Sequence, residues 1–158
     1  LFENLGDGTF DEVSQRAGEG LHLKKVSRGA SFADYDNDGD IDIFVLNLND
    51  FPTLLRNDGN DGNNWLMVET IGTTSNRDGI GAKIKVHCGP LTQINEIRSG
   101  SSYLSHNDFR AHFGLGAADV VDLLEVVWPS GLVEKFANLP ANRLVVVQEG
   151  RGIIKQRD

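Results

Sequence analysis

Residues 34–42 read Asp-Tyr-Asp-Asn-Asp-Gly-Asp-Ile-Asp, and this stretch gives the clearest indication of how the chain folds. Its five carboxylates repel one another, and no lysine or arginine lies within the stretch to neutralise them. Ca²⁺ takes about six to eight oxygen ligands, tolerates irregular geometry and binds both carboxylates and backbone carbonyls. The spacing of the acids therefore predicts a calcium-binding loop.

Alternate positions of the loop can supply the calcium ligands. Gly39 permits the sharp turn that such a loop requires. Mg²⁺ fits less well because it demands octahedral geometry and retains water, and Zn²⁺ would require His or Cys, which the loop lacks. Four aspartates are predicted to bind through their side chains and a fifth through its backbone carbonyl; these are Asp34, Asp36, Asp38 and Asp42, and Asp40.

The residues on either side of the loop are typical of β-strands. Residues 28–33 lead into it, and a β-branched and aromatic run at residues 41–46 follows it. An EF-hand would need helical flanks and a bidentate Glu at its twelfth position, which is Val45 here. The loop is therefore predicted to join two strands.

The segment Gly29–Val45 resembles the calcium-loop repeat of FG-GAP/VCBS propellers, the type also found in integrin α-subunit heads. Residues 1–10 resemble the turn that this family places between blades, and residues 54–60 repeat the beginning of that turn about 53 positions later. A period near ~50 residues is typical of propeller blades. The resemblance implies a partial β-propeller segment that binds Ca²⁺ at the acidic loop.

Four ordered blocks in the second half resemble the ASPIC/UnbV domain. That domain follows FG-GAP repeats in secreted bacterial proteins and in the animal cartilage acidic protein family. The resemblance implies a secreted or cell-surface protein, and because the chain begins at Leu1 without a signal peptide we expect a piece of a longer propeller protein. The blocks are Asn76–Val86, Arg98–Ser105, His112–Gly116 and Trp128–Gly131.

Composition agrees with an all-β fold, since 18 glycines and several Asp-Gly turns punctuate a chain that is 39% hydrophobic. We predict an FG-GAP/VCBS-like partial propeller segment over residues 1–62. A small ASPIC/UnbV-like domain, an antiparallel β-sandwich or a barrel-like fold, is predicted over residues 63–150, and a C-terminal tail over residues 151–158.

Six strands are predicted within the second domain. Alternation of apolar and polar residues from Ala82 to Cys88 is typical of a half-buried strand. Residues 120–128 are apolar enough to form a central strand, whereas residues 112–116 are interpreted as a tight buried turn. The predicted strands are residues 65–71, 82–88, 91–98, 120–128, 132–136 and 144–148.

Several functions are disfavoured. The net charge of −8, without a basic stripe, argues against nucleic acid as a partner. No apolar stretch approaches the ~20 residues of a membrane span. The second domain lacks the sequence motifs of hydrolases, metalloproteases and nucleotide-binding enzymes. The single Cys88 is interpreted as a small core residue.

A second binding site is predicted around Arg98, Tyr103 and His106, because polar groups beside an aromatic ring suit a sugar or a peptide. The leading hypothesis is a non-enzymatic, calcium-binding extracellular module that mediates adhesion-like contacts with a protein or a carbohydrate. One alternative is an enzyme or enzyme accessory in secondary metabolism, and another is a lectin-like glycan binder. Exposed strand edges would also allow homo-oligomers.

Overall fold

A computed structural model describes residues 1–59 and 62–157. Asn60, which ends the second copy of the repeated turn, and Asp158, which ends the predicted tail, lie outside the described residues. Within the described residues the only helix is a 3-10 turn, Glu19–His22, and it is too short and too polar to cross a membrane. The predicted all-β fold, with a blade-like segment followed by a β-sandwich, is confirmed.

The N-terminal part contains five short strands. Two of them form a hairpin, and the other three form an antiparallel sheet in chain order. These strands are β1 (Phe2–Asn4), β2 (Phe10–Glu12), β3 (Ser27–Ala33), β4 (Asp42–Asn47) and β5 (Thr53–Leu55). Strands β3 and β4 flank the acidic loop and pair with each other, so the loop joins two strands as predicted.

The C-terminal part contains eight strands in two four-stranded sheets. One sheet has the order β11-β10-β7-β8 and the other the order β13-β12-β6-β9. The strands are β6 (Asn64–Ile71), β7 (Lys83–Cys88), β8 (Leu91–Glu96), β9 (Ala111–Gly116), β10 (Val120–Val127), β11 (Val133–Pro140), β12 (Arg143–Gln148) and β13 (Gly152–Arg157). The strand β10 lies between two neighbours, as predicted for residues 120–128.

Side chains from both four-stranded sheets pack into one hydrophobic core, which makes this part a β-sandwich. Ile84 and Val86 of β7 and Leu66 and Val68 of β6 are almost fully buried in it. In β7 the buried residues alternate with more exposed neighbours, which is the two-residue period of a strand, whereas in β6 the intervening Met67 is also buried. Cys88 lies in the same core, where burial raises the pKa of its thiol. Its predicted role as a small core residue is confirmed.

The structure of residues 112–116 was wrongly predicted, whereas the predicted domain bounds, residues 1–62, 63–150 and 151–158, stay a prediction. Residues 112–116, interpreted as a turn, form most of β9, because Phe113 and Leu115 point into the core while Gly114 lies on the exposed side. Within the predicted tail, Gly152–Arg157 forms β13 and pairs with β12. Each segment carries only two large apolar side chains, which is a weak sequence signal, and each pairs with a neighbouring strand in the structure.

One strand pair departs from the predicted antiparallel arrangement. Strands β6 and β12 run parallel, with Arg143 opposite Leu66 and Gln148 opposite Ile71. Both strands lie inside their sheet, and Val68 and Val145, which face each other across the pair, are fully buried. Parallel pairs need a long crossover, and here the intervening strands of the sandwich supply it.

Glu149, which follows β12, ties several turns of the sandwich together through a buried carboxylate. Burial alone would raise the pKa of Glu149, but hydrogen bonds from Ser130, Ser75 and Thr73 outweigh that effect and lower the pKa to about 2. Its donors include the backbone N–H groups of Thr73, Thr74 and Ser75 and the hydroxyls of Ser75 and Ser130.

The Glu149 carboxylate should make the sandwich sensitive to acid. Because its folded pKa of about 2 lies below the ordinary 4.5, its contribution is complete above about pH 4.5 and is lost as the pH falls toward 2. We expect Glu149→Gln to lower the free energy of unfolding at pH 7 by roughly 1–3 kcal/mol. The NH₂ group of the glutamine side chain would face the N–H and hydroxyl donors that now bind the carboxylate. Urea unfolding between pH 2 and 7 measures both effects, with the exposed Glu19→Gln as control. Equal pH profiles for the variant and the unaltered chain would contradict the assignment.

Candidate metal centre

The acidic loop is fixed by two buried aspartates, one at each end. Asp34 is 1% exposed and Asp42 is 2% exposed. The two carboxylate oxygens of Asp34 accept the backbone N–H groups of Asp38 and Gly39, at 3.1 and 3.0 Å. The two oxygens of Asp42 accept the N–H groups of Tyr35 and Asn57, at 3.0 and 2.8 Å. These bonds curl the backbone so that the loop surrounds a small space.

Three of the five predicted metal ligands come together. One carboxylate oxygen from each of Asp34, Asp36 and Asp42 lies within 4.8 Å of the other two. Two ligands on opposite sides of a calcium ion are separated by about 4.6–5.2 Å, twice the Ca–O distance. The three oxygens can therefore all contact one Ca²⁺, and an all-oxygen donor set matches the preference of that ion.

The other two predicted ligands occupy different positions. The exposed Asp38 carboxylate lies outside the three-residue group and accepts the N–H of Asp40 at 2.9 Å. Asp40 is partly buried and follows Gly39, whose φ of 99° bends the loop. The assignment of Asp38 and of the Asp40 carbonyl as ligands stays a prediction.

The electrostatics of the loop favour a cation. Asp36 is exposed at the rim, yet its pKa is raised above the ordinary value. Loss of surrounding water is the largest cause, and the negative charges of Asp38, Asp42 and Asp34 add to it. A bound cation would relieve this repulsion, because an opposite charge within a few ångströms stabilises the ionised carboxylates.

Side chains of the second domain hold the outside of the loop. The guanidinium of Arg110 donates to the backbone carbonyl of Asp34 at 2.6 Å and to the side-chain oxygen of Asn37 at 2.7 Å. His112 Nε2 lies 2.8 Å from the carbonyl oxygen of Gly39. The acidic loop is thus attached to the start of β9, about 75 residues away in the chain.

Gly39 lies directly beneath the indole ring of Trp65. A β-carbon placed on Gly39 would lie 2.0 Å from Trp65 Nε1, and the ring of His112 stacks on the same indole at 6.2 Å between centroids. Glycine is therefore required here for its conformation and for its small size. The predicted need for Gly39 in the turn is confirmed, and Trp65 supplies a second reason for it.

Sequence reasoning missed Arg110, His112 and Trp65 as neighbours of the loop. Arg110 directly precedes β9 and His112 is its second residue, and in extended backbone residues two apart lie on the same side. That signal was hidden because residues 112–116 were interpreted as a turn. Trp65 was predicted only as the beginning of a strand, and nothing local to it indicates a distant glycine.

The three residues of the second predicted binding site have different surroundings in the structure. Arg98 lines a cavity of about 680 Å³ between the acidic loop and the sandwich, and this cavity also contacts Asp34 and Arg110. Tyr103 is 59% exposed, and the Cζ atom of Arg28 lies over its ring, 5.4 Å from the ring centroid. His106 packs edge-on against Phe109, which lines the cavity. The prediction that Arg98, Tyr103 and His106 bind one ligand stays a prediction.

Comparison with known families agrees with this two-part architecture. The family model described as ASPIC and UnbV matches residues 72–154, more than half of the chain. The chain therefore belongs to the ASPIC and UnbV family. The model described as FG-GAP-like repeat matches residues 1–45, which contain the whole acidic loop. Both resemblances inferred from the sequence are confirmed.

The similarity to two curated relatives covers most of this chain. Cartilage acidic protein 1 of Mus musculus is 29% identical over 130 residues, which cover 80% of this chain and 20% of the relative. Cartilage acidic protein 1 of Homo sapiens is also 29% identical over 130 residues, covering 80% of this chain and 19% of the relative. The chain thus spans about a fifth of the length of these relatives.

Replacing Gly39 tests the geometry of the loop directly. We expect Gly39→Ala to lower the free energy of unfolding by about 1–3 kcal/mol from its positive φ alone. The contact of the new methyl group with Trp65 should add to that loss. Gly114→Ala is the control, since its β-carbon would enter open space. Urea denaturation compares the two variants, and equal losses would contradict the close contact with Trp65.

Proposed function

We propose that this chain is a non-enzymatic, calcium-binding extracellular module whose acidic loop holds one Ca²⁺ ion. The observation that supports the proposal most strongly is the approach of Asp34, Asp36 and Asp42 within 4.8 Å inside the segment that matches an FG-GAP-like repeat. Asp38 and the carbonyl of Asp40 would add two further oxygens when the ion enters, and water would fill the remaining coordination positions.

The role proposed for the ion is structural. Ca²⁺ would neutralise the loop acids and join β3 to β4 at the end of the three-stranded sheet. A ligand that binds only the folded chain stabilises it by mass action, by about 2.7 kcal/mol at one hundred times its dissociation constant. No step of a chemical reaction needs to be assigned to the ion.

We also propose a protein or glycan ligand and a secreted or cell-surface location. The cavity beside Arg98 and Phe109 combines charged and aromatic side chains, which suits such ligands. The location is supported by the FG-GAP-like repeat and by the similarity to proteins named for cartilage. The charge of −8 favours a partner other than nucleic acid.

Thermal unfolding with and without calcium tests the proposal. Saturating Ca²⁺ should raise the melting temperature by roughly 5–10 °C over that in EDTA, because a domain of this size shifts about 2–4 °C for each kcal/mol. We expect Asp36→Ala to abolish the difference. Asp36 is exposed and so can be replaced with little effect on the calcium-free fold.

Asp119→Asn removes one negative charge away from the loop and should keep the full calcium response. A melting curve of the unaltered chain that is the same in calcium and in EDTA would refute the proposed function. A calcium response that survives in Asp36→Ala would mean that the ion binds at a site that does not need Asp36.

A further inference from the structure

We propose that Arg110 and His112 are positioning residues for the calcium loop, so that the β-sandwich helps to set the calcium affinity of the propeller-like segment. This inference rests on the proposed function, and it concerns residues outside the acidic motif. Neither residue is proposed to touch the ion.

Arg110 is held in one orientation before it reaches the loop. Its side chain is 19% exposed, and it forms an ion pair with Asp108 through Nε. The backbone N–H of Arg110 donates to the same carboxylate at 3.0 Å. With Nε used in this way, Nη1 and Nη2 are directed at Asn37 and at the Asp34 carbonyl. A planar guanidinium that is oriented so firmly fixes the position of both acceptors.

The two hydrogen bonds of Arg110 end on residues that shape the proposed metal site. Asp34 is a member of the three-carboxylate group, and Asn37 has a φ of 61°, a conformation that few side chains adopt readily. The His112 contact falls at Gly39, whose N–H is bound by the Asp34 carboxylate. Loss of either anchor would therefore let the loop relax and move the carboxylates apart.

The backbone of the second domain also reaches the strand that leads into the loop. Asp108 N–H donates to the carbonyl of Phe32 at 3.0 Å, and the side-chain oxygen of Asn107 accepts the N–H of Phe32 at 3.2 Å. These bonds place residues 107–112 along one side of the calcium segment from β3 to Gly39. The loop is thus positioned from outside by a surface of the sandwich.

Charge and position make opposite predictions for Arg110, which makes the inference testable. A cation beside an acidic loop opposes the entry of Ca²⁺, so its removal should strengthen calcium binding if only charge matters. If Arg110 positions the loop, its removal should weaken calcium binding instead. Groups that orient metal ligands commonly change metal affinity by roughly 10–100-fold when they are lost.

Calorimetric titration of the 158-residue chain with CaCl₂ distinguishes the two. We expect Arg110→Gln and Arg110→Lys each to weaken calcium binding roughly tenfold, because lysine keeps the charge but lacks the planar fork. His112→Phe, which keeps a ring against Trp65 and removes the hydrogen bond to Gly39, should weaken it as well. Arg151→Gln removes an exposed charge at a distant turn and should bind calcium like the unaltered chain.

A second measurement separates local from global effects. In EDTA, hydrogen exchange at the amides of Asp38 and Gly39 should accelerate in the Arg110 variants, while that at Leu124 in the core should not. If the Arg110 variants fail to fold, the same two measurements on His112→Phe decide the question.

Unchanged or stronger calcium binding in the folded variants would overturn this inference and leave the proposed function standing. Failure of the unaltered chain to bind calcium would overturn both. Weaker binding in the glutamine and lysine variants, with normal binding in Arg151→Gln, would support the positioning role.

Discussion

Burial of Asp34 and Asp42 imposes the constraint on which the N-terminal segment depends. A buried carboxylate needs a donor for each of its oxygens, and here four backbone N–H groups supply them. Because one of those donors is Asn57, the requirement extends past β5 and determines how the three-stranded sheet ends. In the loop that these bonds fix, one carboxylate oxygen from each of Asp34, Asp36 and Asp42 lies within 4.8 Å of the other two. Satisfying two buried charges therefore creates the space in which a cation can bind.

Hydrogen bonds from the C-terminal part of the chain hold the acidic loop in place. A short segment after the sandwich strand β8 meets the loop with a guanidinium, an imidazole and backbone groups, while an indole covers its glycine. The cavity beside Arg98 lies along the same contact, so a ligand there would touch both parts of the chain at once. The acidic loop and the cavity share Asp34 and Arg110, which gives the two a physical connection.

Local chemistry explains how much of this was predictable. The acidic loop, its flanking strands and β6, β7, β8 and β10 carry strong signals in spacing or alternation, and these predictions agree with the structure. The strands β9 and β13 carry only two large apolar side chains each, so their local signal is weak, and both their core contacts and their pairing with neighbouring strands depend on distant residues. Arg110 and Trp65 meet the loop across more than twenty residues of sequence, a relation that no local pattern encodes.

The parallel pairing of β6 and β12 has a consequence for the order in which the chain acquires its structure. The N–H of Trp65 finds its acceptor on Asn142, 77 residues later. On the ribosome, β6 therefore emerges long before the strand that will lie beside it. During that interval one edge of an apolar strand is open to other chains, and long-range pairings of this kind form slowly. We therefore expect this part of the chain to be most prone to aggregate during its synthesis in the crowded cell.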